Sequence, residues 1–232
     1  MSNATAVDDA AIAILGGTGD QGLGLALRFA KAGRTVVIGS RVAQRAETAA
    51  EEVLEAVPGA SVMGFENSEA TQRTRIVILS VPFEHTASTV KGIRDVLREG
   101  QIVVSMSVPL AAAIGDSAVR TVGLWQGSCA EMVKALVPGG VRVVSAFQNI
   151  SAHRLRDLEN PVECDVVVSG PKAEREVVMA LCPLVPGLRP IDGGPLSNAR
   201  IVEEITALLI GMNVRYKVPE GFGIRFTGLP QG

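Results

Sequence analysis

The strongest constraint on the fold is Ile12-Ala13-Ile14-Leu15-Gly16-Gly17-Thr18-Gly19-Asp20-Gln21-Gly22, an apolar run that breaks into glycines and turns helical from Leu23 to Ala32. Gly17, Gly19 and Gly22 have the G-x-G-x-x-G spacing of a dinucleotide-binding loop. One glycine allows the strand-to-helix turn, the second lets a pyrophosphate approach the backbone, and the third lets helix and strand pack closely. The helix N-terminus beyond them offers free N–H groups and the positive end of a dipole to phosphate. A bare glycine match is a weak signal. Here a strand precedes it, a helix follows, and a second apolar strand, Thr35 to Gly39, ends in Ser40-Arg41 near the spacing expected of the ribose-reading position.

An NAD-selective fold carries an acidic residue at that position to bind the ribose 2′-hydroxyl. This chain has none, and Ser40-Arg41-Val42-Ala43-Gln44-Arg45 supplies a hydroxyl and two cations instead. A guanidinium binds phosphate bidentately. Ser40, Arg41 and Arg45 therefore point to the 2′-phosphate of NADP(H).

Downstream, continuous apolar runs alternate with helical periodicity, as parallel strands covered on both faces require. The expected strands are Ala11 to Leu15, Thr35 to Gly39, Ser61 to Glu66, Ile76 to Val81, Gln101 to Ser105 and Val141 to Phe147. Helices are expected over Gly22 to Ala32, Gln44 to Ala56, Asn67 to Arg73, Glu84 to Leu97 and Ser128 to Leu136. This is an α/β, Rossmann-type, doubly wound and mainly parallel sheet over residues 11–150. Residues 1–10 read as a flexible tail. Residues 151–232 read as a small C-terminal α/β unit that completes the substrate pocket. It has strands Asp165 to Ser169 and Leu188 to Ile191, a helix from Pro171, a long helix from about Asn198 to about Arg215, and Gly221 to Phe226 as a short edge strand. Residues 110–124 read as a mobile loop with the character of a lid.

Ligands of such sheets bind at the carboxyl ends of the strands. Two strands end in Val-Pro, at Ser80-Val81-Pro82-Phe83-Glu84-His85 and at Met106-Ser107-Val108-Pro109. They place Ser80, Val81, Pro82, Phe83 and Val108 beside the nicotinamide, with Phe83 offering a flat apolar face. His85 is either a hydrogen-bond partner of the cofactor or a solvated residue at a helix start.

Other chemistries find little support. Lys+Arg 22 against Asp+Glu 24 leaves a net charge of -2, without the basic field that nucleic acids or anionic membranes select. No apolar run approaches the ~20 residues of a membrane span. Cys129, Cys164 and Cys182 lack metal-ligand or CxxC spacing and read as reduced, mostly buried thiols of a cytoplasmic protein. His85 and His153 show no metal pairing, and there is no Gly-x-Ser-x-Gly elbow. Hydride transfer needs none of these, because the cofactor carries the reactive atom and the protein aligns donor and acceptor. No catalytic side chain and no metal are expected. A non-catalytic NADP-binding sensor would look the same.

The opening glycine segment, Gly39-Ser40-Arg41, Pro82-Phe83-Glu84-His85, Leu188-Arg189-Pro190-Ile191-Asp192, Gly194-Pro195-Leu196-Ser197-Asn198-Ala199-Arg200 and Gly223-Ile224-Arg225-Phe226 resemble NADPH-dependent coenzyme F420 reductases (F420H2:NADP oxidoreductases) over nearly the whole chain. The Gly-Pro-Leu-Ser-Asn-x-Arg stretch is the most particular, and is shared in part with ferric-reductase domains of membrane metalloreductases. The resemblance implies direct hydride exchange between NADP(H) and C5 of the deazaflavin coenzyme F420. It implies that Thr18, Gly19, Asp20 and Gln21 wrap the pyrophosphate, and that Phe83, Ala87 and Ala152 line the nicotinamide half. The deazaflavin pocket would form near Gln148, Arg200, Glu204, Thr206 and Phe222. Gln148 and Glu204 stand where archaeal members of the family carry His and Ser, so the acceptor side departs from the family pattern. Another acceptor, such as a flavin or a ferric chelate, is the alternative. The long helix, with Ile201, Ile205, Leu208, Leu209 and Met212, lies either inside the monomer or at an interface, and a homodimer is the expectation.

Overall fold

In the computed structural model, which describes residues 8–229, the first strand, β1 (Asp8–Leu15), is covered on both faces. Ile12 and Ile14 point to one side and Ala13 and Leu15 to the other, and all four are fully buried. Around it lie β2 (Val36–Ser40), β3 (Val62–Glu66), β4 (Thr74–Leu79), β5 (Ile102–Ser105) and β6 (Arg142–Ser145). The order across the sheet is β3-β2-β1-β4-β5-β6, with every pair parallel. Helices α1 (Asp20–Lys31) and α2 (Ala43–Ala56) cover the Ile12 and Ile14 face. Helices α3 (Asn67–Gln72), α4 (Phe83–Ile93) and α5 (Cys129–Leu136) cover the other. This is the Rossmann-type layering expected from the alternation of apolar strands and amphipathic helices.

The rest of the chain comprises α6 (Ala152–Arg156), β7 (Cys164–Val168), α7 (Lys172–Met179), β8 (Leu188–Asp192) and α8 (Ala199–Tyr216). β7 and β8 form a separate two-stranded parallel sheet. Ser145 and Ser169 exchange backbone N–H to carbonyl bonds of 2.8 and 3.0 Å, which join it to the end of β6. Val162, Cys164, Val166 and Val168 belong to the same apolar cluster as Ile12 and Ile14, so the core runs on from the large sheet to the small one.

Three differences from the sequence reading have local causes. Strand β1 begins at Asp8, three residues before Ala11, so the end of the expected tail is strand, and residues 1–7 lie outside the described residues. Strand β6 stops at Ser145 instead of Phe147, because Phe147 takes φ 70° and turns the chain out of the sheet. Gly221 to Phe226 is not a regular strand. The Asp165 N–H donates to the Ile224 carbonyl at 2.8 Å, but the next rung is the Phe226 N–H donating to the Asp165 carboxylate at 2.6 Å. A side chain thus takes the place of a ladder partner.

Two buried charges fasten the C-terminal half. Arg28 is 3% exposed and donates to the carbonyls of Leu155, Arg154 and Asn160 at 2.9, 2.8 and 2.9 Å, and to that of Asp157. It thereby satisfies the end of α6 and ties it to α1. On β7, the fully buried Asp165 carboxylate accepts from Arg189 at 2.8 and 2.6 Å and from Arg225 at 2.8 Å, besides Phe226. Burial would raise its pKa, but the Arg189, Phe226 and Arg225 hydrogen bonds outweigh burial and hold it at about 2.

The stability carried by this charge is present above the ordinary carboxylate value of 3.8 and lost as pH falls through about 2. Asp165→Asn should cost about 1–3 kcal/mol at neutral pH. The check is the urea midpoint of wild type and variant, whose difference should narrow on acidification through that window.

Candidate functional site

The strand order reverses between β1 and β4, and α1 starts at that crevice. The turn into α1 leaves no room for side chains. Gly16 has φ 81°, and a Cβ there would lie 2.6 Å from the Ser80 carbonyl oxygen. A Cβ on Gly22 would lie 2.7 Å from the Gly16 oxygen and 2.8 Å from the Gly17 Cα. Gly19, by contrast, is exposed and has nothing nearer than 3.5 Å to such a Cβ, so its bare backbone faces open space. No side chain caps α1 at Gly19, which leaves the first N–H groups of the helix directed at that space.

That space is a cavity of about 610 Å³. Gly19, Asp20 and Gln21 line it from the glycine turn, Ser80, Val81, Pro82 and Phe83 from the end of β4, and Val108 from beyond β5. Gln148 and Ala152 line it from the segment after β6, and Thr206 and Phe222 close the far side. The structure therefore brings together residues the sequence reading took from six separate stretches. Gly17, Thr18 and Gly22 shape the turn without lining the cavity. Ser40, Arg41 and Arg45 lie further along, at the end of β2 and the start of α2, where the Gly39 carbonyl accepts from the Gly16 N–H at 3.0 Å. Both arginines are exposed, and neither side chain has an ion-pair or hydrogen-bond partner among the described residues. His85 and Ala87 sit on α4, half-buried, outside the lining.

Arg200 and Glu204 are the displaced pair. They bind each other at 2.9 Å on the surface of α8 and border a second cavity of about 250 Å³, not the main one. The helix explains it: Thr206, Leu209, Ile210 and Asn213 share the face toward the main cavity, while Arg200 and Glu204 lie on another. The Glu204 carboxylate is thus turned away from the main cavity.

The segment after β6 is the most constrained part of the site. Phe147 is in the left-handed region and only 1% exposed, with its ring edge-on to Phe29 at 6.3 Å. The Gln21 amide donates to the Ile150 carbonyl at 3.1 Å and to that of Phe147 at 3.4 Å. Asn149 donates to the Thr206 hydroxyl at 2.8 Å and to the Val202 carbonyl at 3.1 Å. The buried Gln148 amide donates to Ser145 Oγ, and its Oε1 is buried without a partner. That oxygen is closed off from the cavity, so a ligand N–H would reach it only if the amide turned.

Several lining residues escaped the sequence reading: Asn149, Leu209, Ile210 and Asn213, with Leu110, Ala112 and Ala113 of the loop after β5, while Met106 and Ser107 fall in the second Val-Pro stretch already set beside the cleft. Asn213 was detectable, two helical turns after Thr206 on one face. The loop residues carry no chemical signature. Among all lining residues, only Asp20 and Glu84 are ionisable.

A family model described as NADP oxidoreductase coenzyme F420-dependent matches residues 11–109. The F420-dependent NADP reductase of Methanocaldococcus jannaschii is 48% identical over 223 residues, covering 94% of this chain and 98% of that protein. The F420-dependent NADP reductase of Methanothermobacter thermautotrophicus is 46% identical, covering 95% of this chain and 96% of its own. Among solved structures, that of a proposed F420-dependent NADP reductase from Arthrobacter sp. FB24 has a TM-score of 0.75 at 22% identity, covering 93% of this chain and 99% of that one. A 3-hydroxyisobutyrate dehydrogenase from Salmonella typhimurium has a TM-score of 0.61 at 16% identity, covering 90% and 65%. These two structural likenesses concern the fold.

The Gln21 contacts predict a local effect. Gln21→Ala removes both bonds to the turn, so amide exchange over residues 147–152 should quicken about fivefold or more while β1 stays protected. Hydrogen-exchange mass spectrometry reads this directly, and unchanged protection there would refute the link.

Proposed function

The chain belongs to the family of F420-dependent NADP reductases, and from that premise we propose how its cavity works. The protein is an NADP-dependent oxidoreductase that transfers a hydride directly between NADP(H) and the deazaflavin coenzyme F420. The observation that carries the reading is one cavity walled by a glycine turn and strand ends on one side and by α8 and Phe222 on the other, with almost no ionisable lining.

Residues 11–150 hold the dinucleotide and residues 151–232 complete the acceptor pocket. The bare backbone at Gly19 and the uncapped start of α1 suit a pyrophosphate, with Thr18, Asp20 and Gln21 around it. Ser40, Arg41 and Arg45 suit the 2′-phosphate. When bound, NADP(H) supplies or accepts the hydride at its nicotinamide. Ser80, Val81, Pro82, Phe83, Val108 and Ala152 hold that ring end, and Gln148 lines the acceptor side. Thr206 and Phe222 complete the acceptor wall. Leu209, Ile210, Val81 and Val108 exclude water, which alignment of two rings for hydride transfer requires. Arg200 and Glu204, paired on the second cavity, lie outside this contact set.

The three buried free thiols support a reducing, cytoplasmic setting. No helix among the described residues is long and apolar enough to cross a membrane. The outward face of α8, with Ile201, Leu208 and Tyr216 exposed, supports a homodimer, and sedimentation should then give twice 24.2 kDa.

Mixing the protein with NADPH and oxidised coenzyme F420 should bleach the deazaflavin. Turnover with a flavin or ferric chelate alone would assign another acceptor, and NADPH binding without any turnover would make the protein a sensor. Arg41→Ala with Arg45→Ala should weaken NADPH relative to NADH by about tenfold or more, the loss of charge-assisted bonds. Equal weakening of both nucleotides in a binding titration would remove the 2′-phosphate assignment.

A further inference from the structure

Only the middle turns of α8 reach the main cavity, through Thr206, Leu209, Ile210 and Asn213. What seats the helix lies just before them. Glu203 is 2% exposed, and its carboxylate accepts from the first two N–H groups of α5, Cys129 at 2.8 Å and Ala130 at 3.1 Å. Ser128 caps the same end by accepting from the Glu131 N–H at 3.0 Å. Cys129 is itself fully buried against Thr86, Ser105 and Ser107, and Ser107 lines the main cavity. From the other side, Asn149 holds the Val202 carbonyl and the Thr206 hydroxyl. Glu203 is thus, like Arg28, a buried ionisable group between the dinucleotide half and the acceptor half, and the hydride chemistry makes no use of it.

We propose that Glu203 is a positioning residue for the acceptor half of the cavity: clasped to the start of α5, its carboxyl group holds the Thr206-to-Asn213 turns of α8 at the distance from β5 that hydride transfer requires. This rests on the reading of the cavity given above.

The clasp responds to pH. Burial, with Glu131 and Glu204 nearby and against the two N–H bonds, raises the carboxyl to about 7. The groups facing it are Cys129 and Glu131 from α5 and Arg200 and Glu204 from α8. The loop wall of the second cavity, Pro109, Thr121 to Leu124 and Gly127, presents no charge. A raised carboxyl pKa means that the proton is held more tightly in the seated position than in water. Proton loss therefore lowers the preference for the seated position over arrangements in which the carboxylate reaches the open second cavity, so the hold on α8 weakens as pH rises through about 7.

The test compares wild type, Glu203→Gln and Glu203→Ala on both sides of that pH. Glutamine stays neutral but accepts only one of the two N–H bonds, so its KM for coenzyme F420 should stand above the low-pH wild-type value and stay level with pH, while that of wild type rises. Alanine leaves two N–H groups unpaired and should raise that KM about tenfold at every pH. The dissociation constant for NADPH should match in all three. Hydrogen exchange at the start of α5, residues 128–131, should quicken above about pH 7 in wild type relative to the glutamine variant. Identical pH curves for wild type and Glu203→Gln would overturn the proposal, as would an NADPH constant that moves with the acceptor KM. If Glu203→Ala does not fold, the glutamine comparison decides. If coenzyme F420 is not turned over, the proposed reaction falls, and the exchange difference at the start of α5, present or absent, still decides the role of Glu203.

Discussion

The pairing of β1 with β4 is the contact on which the rest of the molecule depends. The chain winds outward from β1 to β3, then returns to lay β4 on the opposite side of β1. The connections leaving β1 and β4 therefore diverge to opposite faces, and a crevice is left between them. The same pairing brings two turns into one structure. The Ser80 N–H donates to the Leu15 carbonyl at 2.8 Å, and Gly16 passes so close to the Ser80 carbonyl that no side chain fits. The glycine turn and the Ser80-Val81-Pro82 loop are consequently placed by one register.

The acceptor side is attached by different physics. The large sheet is held by apolar contact, which is strong but undirected. The C-terminal half is fixed to it at Arg28, and at Glu203 for α8, while Asp165 closes the last segment onto β7. Arg28 and Asp165 are buried charges and Glu203 is a buried carboxyl group raised to about 7; each is bonded to backbone groups, which have fixed direction. Burying a charge is costly unless it is so paired, and the same cost penalises any other docking of the half. A hydride transfer tolerates little error in the spacing of two rings, and directional bonds are suited to hold it.

The dinucleotide half was legible because its signals are local. Strand-length apolar runs, glycine spacing and two Val-Pro ends each report on a few neighbouring residues, and the structure assembles them as the spacing implies. The elements that escaped are defined by distant partners. Helix α6 has five residues, too few for periodicity to show, and exists because Arg28 collects its carbonyls. The segment at Gly221 to Phe226 has strand composition, but a buried carboxylate takes its second rung. On α8, adjacent Glu203 and Glu204 must point in different directions. Which one enters the core depends on α5, some seventy residues earlier, and nothing in the local pattern tells the clasp from the surface pair.

Cys129, Cys164 and Cys182 are all buried, and burial above all pushes Cys129 and Cys182 up to about 12 and raises Cys164 too. The thiolate is the form that oxidants and alkylating agents attack, so the folded molecule offers them almost nothing. Unfolding exposes all three at once and returns them to ordinary reactivity. A chemically altered cysteine is then a covalent record that its molecule has opened at least once, and such scars would accumulate with the fraction of opened molecules and the oxidant they meet.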